Sequence, residues 1–296
     1  MRLAGIALVI CCVASVHAAG MLRPTDPRDS IRMEMALGCA SSDTRAPQYY
    51  FWTGAVFARR AGEADRLLFN VQGVNPRACR LVEDAARGGT GYQAAARELM
   101  LYLDPATNEV LSTWRNPWTD ETVAVIQMEN DPASMREARF ALDPAGKPVG
   151  GRMQWEDMGQ AYMATRTSSF FRDSPLGGDY QEFVGGKYQV METSTFTISK
   201  RDVAAFRAGV PLPYTANWVR LSGWLPWMKM GGREGQIVLI TKGRSTMKFA
   251  ELPEPLRSTL TARYPRMRET PPFDDRRPFQ TSWDSLKKAL DQRRRE

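Results

Sequence analysis

The sequence predicts a mainly β protein whose antiparallel strands form a closed or nearly closed barrel, with a few short helices at its periphery. About eight to ten short runs are aromatic or β-branched and are bounded by Gly, Pro, Asn and Asp, which is typical of strands. Most connections between these runs are too short for a parallel crossover, so neighbouring strands should run antiparallel. A closed barrel is favoured because it leaves no strand edge exposed.

The first residues have the pattern of a secretory signal peptide. Arg2 provides a positive start, and residues 3–16 form a mostly apolar run that is too short to span a bilayer. Small residues around position 17 predict cleavage after Ala18 or Ala19. The alternatives are an uncleaved anchor and a buried N-terminal strand. We therefore expect a periplasmic or secreted protein from which the signal peptide, residues 1–19, is removed.

The remaining chain, residues 20–296, is predicted to be a single β-rich domain. The sequence contains one histidine, His17, and it lies in the predicted signal peptide. The mature chain therefore lacks the imidazole on which Ser-His-Asp and Cys-His nucleophile systems and most catalytic zinc sites depend. Glycine-rich phosphate-binding motifs and the hydrolase nucleophile motif are also missing. The sequence predicts no cofactor and no metal.

The net charge of +7 is concentrated near the C-terminus. Residues 242–296 contain 14 basic and 8 acidic side chains. A basic region can contact anionic lipid, cell-wall polymer or nucleic acid, and a solvated surface is the alternative. No motif of interleaved basic and aromatic residues typical of nucleic-acid binding appears there, so we expect no nucleic-acid partner. No second apolar run approaches membrane length, so we also expect no transmembrane segment.

A helix is the first element expected in the mature chain. Asp26 suits the N-cap position, Pro27 the first helical position and Gly38 the C-terminal stop. Two strand-like runs follow at residues 49–58 and 67–71, and a polar turn joins them.

A meander of three strands is the clearest pattern in the sequence. Residues 95–103, 110–114 and 122–128 form strand-like runs, and turns at 104–108 and 116–120 connect them. The short connections predict three neighbours in one antiparallel sheet.

The middle of the chain mixes loops and strands. Residues 131–150 and 172–187 are rich in Gly, Pro or Asp and predict loops. Residues 151–171 predict one long strand or a broken pair, and residues 188–199 predict a further strand. A short capped helix is expected over residues 199–208.

The C-terminal part combines two strands with two helices. Residues 217–224 and 236–241 predict strands, and residues 255–264 predict an amphipathic helix. A proline-rich arm then leads to a last helix that Thr281 and Asp284 cap. We expect this helix to dock on the domain through its apolar residues, which are Trp283, Leu286 and Leu290.

Two tryptophan-rich segments are candidate ligand-binding sites. In the first, two indole rings flank a guanidinium group, an arrangement that suits stacking on a flat ligand and fixing one polar group. In the second, Trp and Met residues surround a proline and could line the mouth of a cavity. The alternatives are a packed corner and a hydrophobic plug. The candidate binding residues are Trp114, Arg115, Asn116 and Trp118 in the first segment, and Trp224 and Trp227 in the second.

Acidic residues inside strand-like runs are candidate catalytic groups. Alternation along a strand places Glu98 on one face with Met100 and Tyr102. If that face points inward, burial raises the pKa of the carboxyl group and allows it to transfer protons; in the opposite register Glu98 is solvated. Glu192 and Tyr188 share a face in the same way. The candidate catalytic residues are Glu98, Tyr102, Glu192, Tyr188 and Arg115.

Two cysteines remain after removal of the signal peptide. Cys39 and Cys79 can pair in an oxidising compartment. The disulfide would close a loop of about forty residues and stabilise the fold by about 3–4 kcal/mol. Two buried thiols are the alternative. No ligand-like residues lie near them in the sequence, which argues against a metal site.

Distinctive motifs are spread over nearly the whole mature chain. They are Thr25-Asp26-Pro27-Arg28-Asp29, Tyr102-Leu103-Asp104-Pro105, Thr113-Trp114-Arg115-Asn116-Pro117-Trp118-Thr119, Glu129-Asn130-Asp131-Pro132, Gly223-Trp224-Leu225-Pro226-Trp227-Met228-Lys229-Met230-Gly231, Phe249-Ala250-Glu251-Leu252-Pro253 and Thr281-Ser282-Trp283. Together they resemble an uncharacterised bacterial and fungal family, domain-of-unknown-function family 1838. The resemblance implies one domain and includes both tryptophan-rich segments, which supports a pocket. It implies no established activity or catalytic residue.

Three functions fit these observations. The first is binding of a small hydrophobic molecule in a Trp- and Met-lined pocket of a lipocalin-like barrel. The second is a metal-independent, histidine-free enzyme of isomerase, cyclase or lyase type that uses a buried carboxylate with Tyr and Arg. The third is a surface or interaction protein that uses the basic C-terminal region. An apolar cavity without an inward acid favours the first function, and an inward acid beside Tyr or Arg favours the second. A filled barrel with one basic face favours the third.

Overall fold

A computed structural model describes residues 21–38, 47–135, 137–149, 153–174, 176, 180, 183, 185–207 and 210–295. The predicted signal peptide and Cys39 lie outside these residues. The strands are β1 (Gln48–Arg59), β2 (Arg66–Asp84), β3 (Gly89–Leu103), β4 (Thr113–Arg115), β5 (Thr122–Ala124), β6 (Met128–Met135), β7 (Trp155–Asp157), β8 (Ala161–Asp173), β9 (Lys187–Ser199), β10 (Thr215–Ser222) and β11 (Gln236–Thr246). The α-helices are α1 (Ser30–Gly38), α2 (Lys200–Ala204), α3 (Leu256–Ala262) and α4 (Ser282–Arg293).

Nine of these strands form one antiparallel sheet in the order β6-β3-β2-β1-β11-β10-β9-β8-β7. Strands β4 and β5 pair separately as a two-stranded sheet. The predicted mainly β, antiparallel fold is therefore confirmed.

The predicted closed barrel is not confirmed. Within the described residues no hydrogen-bonded ladder joins β6 to β7, so both are edges of the sheet. The structure protects these edges in other ways. β7 is only three residues long, and the C-terminal arm and α4 satisfy backbone groups of β6. The Ser285 hydroxyl donates to the carbonyl of Glu129 at 3.0 Å, and the Gln280 amide donates to the carbonyl of Pro132 at 2.9 Å.

β2 is much longer than its sequence pattern predicts. The strand continues through Pro76, a residue that usually interrupts an interior strand because it has no N–H. The regular pairing of β2 with β3 stops after Val74 and resumes at Arg77. In this gap the side chain of Asn75 donates to the carbonyl of Arg97 at 2.6 Å. A side-chain hydrogen bond thus replaces a lost ladder bond.

The predicted three-strand meander is only partly correct. β3 pairs with β6, so the partner of β3 begins later in the chain than expected and includes residues that predicted a loop. The backbone of residues 110–114 pairs with β3 at a single bridge, between Leu103 and Val110. The hairpin of β4 and β5 instead packs against the second tryptophan-rich segment.

The two faces of the sheet have different surroundings. We call the side that carries Trp52, Met100 and Tyr102 the cavity face, and the side that carries Phe51 and Leu101 the packed face. Helix α3 covers the packed face of the β1–β3 region. Its core consists of Tyr49, Phe51, Val74, Leu99, Leu101, Leu103, Leu252, Leu256, Leu260 and Met267.

Helix α4 lies on the molecule as the sequence predicts. The predicted capping box is present, because the Asp284 carboxylate accepts from the Thr281 amide at 2.8 Å. Trp283 and Leu286 are buried, and Leu290 packs against the same core.

Candidate functional site

A cavity of about 560 Å³ lies on the cavity face. Strands from across the large sheet contribute to its wall, together with α1, α4 and the second tryptophan-rich segment. Aromatic side chains dominate this wall. They are Tyr50, Trp52, Tyr92, Tyr102, Phe170, Tyr188, Phe196, Tyr214, Trp218, Trp224 and Trp283.

The central strands leave room for large rings. Trp52 on β1 lies opposite Gly73 on β2, and a Cβ atom at Gly73 would lie 2.2 Å from the indole ring. Glycine is therefore the residue that fits this position. The Trp52 ring meets Trp218 edge to face, with centroids 6.0 Å apart.

A charged group lies in the aromatic wall. Arg220 on β10 donates to the Glu192 carboxylate on β9 at 2.7 Å and to the Tyr188 hydroxyl at 2.8 Å. Glu192 and Arg220 face each other directly across the ladder of β9 and β10. Each side chain is 26% exposed, and both line the cavity. We call this trio the arginine group.

Glu98 lies in the same wall on β3. Its carboxyl group accepts one hydrogen bond, from the Asn130 side chain at 2.9 Å. Burial raises the pKa of Glu98, while the bond from Asn130 and the charge of Arg220 oppose the rise. The predicted common face of Glu98, Met100 and Tyr102 is the cavity face, because all three line the cavity.

Two further phenols and an arginine extend the polar part of the wall. Tyr102 is 1% exposed, and burial raises the pKa of its hydroxyl. Arg77 donates to the Tyr214 hydroxyl at 3.2 Å and lies over the ring of Tyr50, 5.2 Å from its centroid. Burial also raises the pKa of Tyr214.

Helix α4 closes part of the cavity. The indole of Trp283 meets the ring of Tyr188 edge to face, with centroids 4.2 Å apart. The hydroxyl group of Ser285, two residues further along α4, holds the helix to the β6 edge. One wall of the cavity therefore depends on a helix outside the sheet.

The two tryptophan-rich segments pack against each other. Trp118 contacts Trp224 with ring centroids 5.1 Å apart, and Trp114 contacts Trp227 with centroids 6.0 Å apart. Of these four residues Trp224 lines the cavity. The other three lie behind its wall, where the Trp227 ring contacts Tyr102, with centroids 5.2 Å apart. Together the segments support the cavity from one end.

Asn116 and Arg115 have different environments from the cavity residues. Asn116 is fully buried, donates to the carbonyl of Met228 at 3.0 Å and accepts from the Trp118 amide at 3.0 Å. It joins the two segments. Arg115 is exposed and forms an ion pair with Asp120 at 2.6 Å, so the structure does not bring it to the other candidate catalytic residues.

Sequence reasoning missed Arg220, Asn130, Trp218 and Arg77. Arg220 sits in a strand with Trp218 two residues before it, so alternation alone could have placed both on one face. No local signal indicates that Asn130 pairs with Glu98, because the residues are 32 positions apart and meet only through the sheet.

Two arginines of the basic C-terminal region pair with the large sheet. Asp131 on β6 accepts from Arg266 at 3.0 Å and from Arg277 at 3.0 Å, and also from Arg97 on β3 at 2.8 Å. Arg244 and Glu251 pair within the region at 2.9 Å. Arg266 and Arg277 therefore help to hold the C-terminal arm against β6.

Three further sequence predictions concern a disulfide, a metal site and a membrane span. Cys79 is buried, and its predicted pairing with Cys39 stays a prediction because Cys39 lies outside the described residues. In those residues no group of three or more His, Cys, Asp or Glu side chains is arranged to hold a metal ion. Nor does any helix in the part of the chain that the structure describes have the length and apolarity to cross a membrane.

The fold and the site define a class: an antiparallel β protein with an aromatic cavity whose wall also carries carboxyl, phenol and guanidinium groups. A family model described as "Protein of unknown function (DUF1838)" matches residues 45–290. The chain belongs to this family, as its motifs predict. A comparison with curated proteins finds no match.

Proposed function

We propose that this protein binds a small, mostly apolar molecule in the aromatic cavity. The observation that carries the proposal is the cavity itself, about 560 Å³ and lined by Trp, Tyr, Phe and Met side chains. Sites for small organic ligands have about 300–1,000 Å³ and are lined by aromatic and apolar side chains, with polar groups that fix orientation. This cavity has a volume in that range and an aromatic wall, and it carries more polar and charged groups than such sites usually do. The mode of binding is lipocalin-like in that one face of an antiparallel sheet holds the ligand, and it does not depend on closure of the sheet.

A neutral fluorescent probe tests this proposal. N-phenyl-1-naphthylamine brightens when it enters an apolar site, so titration of the purified protein should give a saturable signal. Ser194→Trp adds an indole to the cavity wall and should weaken binding at least about tenfold, because the added volume fills the site.

Thr195→Trp is the matched control for that variant. Thr195 is the next residue on β9 and points to the other face, where its hydroxyl meets Thr165. The Thr195→Trp variant should bind the probe as tightly as the unmodified protein does. Equal loss in both variants, or no saturable signal at all, would contradict the proposal.

Acid–base catalysis on the bound molecule is the second candidate function. The observation that favours it is Glu98, an inward carboxyl group with a raised pKa beside Asn130 and near Arg220. A carboxyl group whose pKa is raised by burial is a candidate general acid. Isomerisation, cyclisation, dehydration or decarboxylation of a hydrophobic substrate would suit this histidine-free, metal-independent site.

Native mass spectrometry followed by organic extraction provides the test of catalysis. A molecule that co-purifies is returned to fresh protein, and its conversion is measured by mass. Glu98→Gln retains an acceptor for Asn130 but has no acid proton, so turnover should fall by about 100-fold or more. Glu156→Gln on the exposed edge strand β7 is the control. Unchanged turnover in Glu98→Gln would remove Glu98 from the mechanism.

We further propose that the protein is exported and that its signal peptide is cleaved after Ala18 or Ala19. The sequence pattern of residues 1–19 supports this proposal. The intact mass of protein recovered from outside the cytoplasm tests it, and a mass that includes residues 1–18 would contradict it.

A further inference from the structure

The polar part of the cavity wall contains more hydrogen-bond donors than acceptors. Arg220 has five N–H donors and no acceptor, and it uses donors on Glu192 and Tyr188. The Tyr188 hydroxyl accepts from Arg220, so its own hydrogen remains for another partner. Among the described residues this hydrogen has no acceptor within hydrogen-bonding distance. The arginine group therefore presents donors to the cavity.

Glu98, which lies near enough to Arg220 and Glu192 to feel their charges, adds a further donor to the same cavity. Asn130 donates to its Oε2 atom, and a protonated carboxyl group then carries its hydrogen on Oε1. The nearest amide acceptor, Oδ1 of Asn130, forms no hydrogen bond, so it does not take this hydrogen. Burial of Glu98 raises its pKa, which is consistent with a protonated group.

The charges of the arginine group favour a neutral partner for its donors. The carboxylate of Glu192 already balances the guanidinium of Arg220 through a 2.7 Å ion pair. A ligand carboxylate on these donors would lie beside Glu192 and share one guanidinium with it, which is costly in an apolar site. The other two guanidinium groups of the cavity wall, those of Arg77 and Arg166, are not part of the arginine group.

We infer that the cavity takes a flat, mostly apolar molecule that presents a neutral carbonyl oxygen to Glu98 and to the arginine group. This inference rests on the proposed ligand-binding function and adds the chemical class of the ligand. The aromatic wall binds the ring system, and the donors bind the oxygen. An equally apolar molecule without the oxygen leaves those donors unpaired and should bind more weakly.

Three tricyclic probes of nearly equal size provide the experiment. Isothermal titration calorimetry compares 9-fluorenone, which has a ring carbonyl, with fluorene, which has a methylene group there, and with fluorene-9-carboxylate. We expect 9-fluorenone to bind about tenfold more tightly than fluorene and more tightly than the carboxylate. Equal affinities for 9-fluorenone and fluorene would overturn the inference and leave the binding function intact. Tighter binding of the carboxylate would also overturn it, and no binding of any probe would overturn both proposals.

Two variants of Glu98 test which donor selects the oxygen. Glu98→Met has a similar length and no donor, so the preference for 9-fluorenone should fall about fivefold or more. Glu98→Gln has an N–H donor in place of the acid proton and should retain most of the preference. If Glu98→Met binds 9-fluorenone as tightly as the unmodified protein does, Glu98 does not contribute to selection.

Discussion

The two faces of strand β3 have opposite roles although their residues alternate along the same chain. Leu99, Leu101 and Leu103 point to the packed face and are completely buried among apolar side chains. The alternate residues of the strand, Glu98, Met100 and Tyr102, point to the cavity. The packed face gains stability from burial, whereas the cavity face keeps polar groups in an apolar environment at a cost in stability. One strand thus joins a stabilising core to a candidate site.

The carboxyl groups of Asp131 and Glu98 also differ, because their surroundings shift their pKa values in opposite directions. Burial alone would raise the pKa of Asp131, but hydrogen bonds and charges of Arg97 and Arg277 outweigh burial and lower it. Glu98 has one amide donor and no direct arginine partner, and its pKa is raised. The number of charged donors therefore decides whether a buried carboxyl group stays ionised.

The largest effect is expected on the packed face. Leu101→Ala removes a fully buried side chain from the core beneath α3 and should lower the free energy of unfolding by about 2–5 kcal/mol. Phe196→Ala on the cavity face should cost less, because Phe196 is only partly buried and already borders empty space. Urea unfolding of both variants measures the difference. A larger loss for Phe196→Ala would break the proposed division between the faces.

Asp131→Asn should give the next largest effect, with a loss of about 3 kcal/mol at neutral pH, because it leaves buried Arg97 without its carboxylate. The lowered pKa means that this stabilisation is complete above the ordinary carboxyl value of 3.8 and disappears as pH falls through the lowered pKa. Urea midpoints at several pH values between 7 and about 2 provide the measurement. The two proteins should converge in acid, and a constant difference would show that the charge of Asp131 is not responsible.

Glu98→Gln should have a smaller effect of opposite sign. Because the folded pKa of Glu98 is raised, its ionisation favours the unfolded chain, and stability is lost as pH rises from the ordinary value of 4.5 to the raised value. The variant should therefore unfold at a higher urea concentration than the unmodified protein at pH 8. At pH 4 the two should differ little. A gain of the same size at both pH values would contradict the proposed titration.

Local patterns predicted the strands well but not their arrangement. Alternation correctly placed Glu98 with Met100 and Tyr102, and the Thr281–Asp284 capping box correctly marked the start of α4. Both features depend on residues a few positions apart. The insertion of β11 between β1 and β10 depends on pairing between distant segments, and no short-range pattern specifies it.

In the candidate site, too, the sequence predicted only those features that depend on residues a few positions apart. Glu98, Glu192, Tyr102 and Tyr188 follow from strand alternation, whereas the partners Asn130 and Arg220 come from strands whose neighbours the sequence did not reveal. Of the tryptophans that the sequence singled out in the two tryptophan-rich segments, Trp224 lines the cavity. Tryptophan content could not show that Trp114 and Trp227 lie behind the cavity wall, because it does not distinguish a ring that lines a cavity from one that packs behind it.

The position of Trp283 in the chain sets the order in which the cavity is completed. Trp283 follows β11, so a ribosome has already produced every strand of the large sheet before it adds this part of the wall. A nascent sheet can therefore pair before α4 seats against Tyr188 and adds Trp283 to the wall. A chain that stops before α4 would keep every strand of the large sheet and lack this part of the wall.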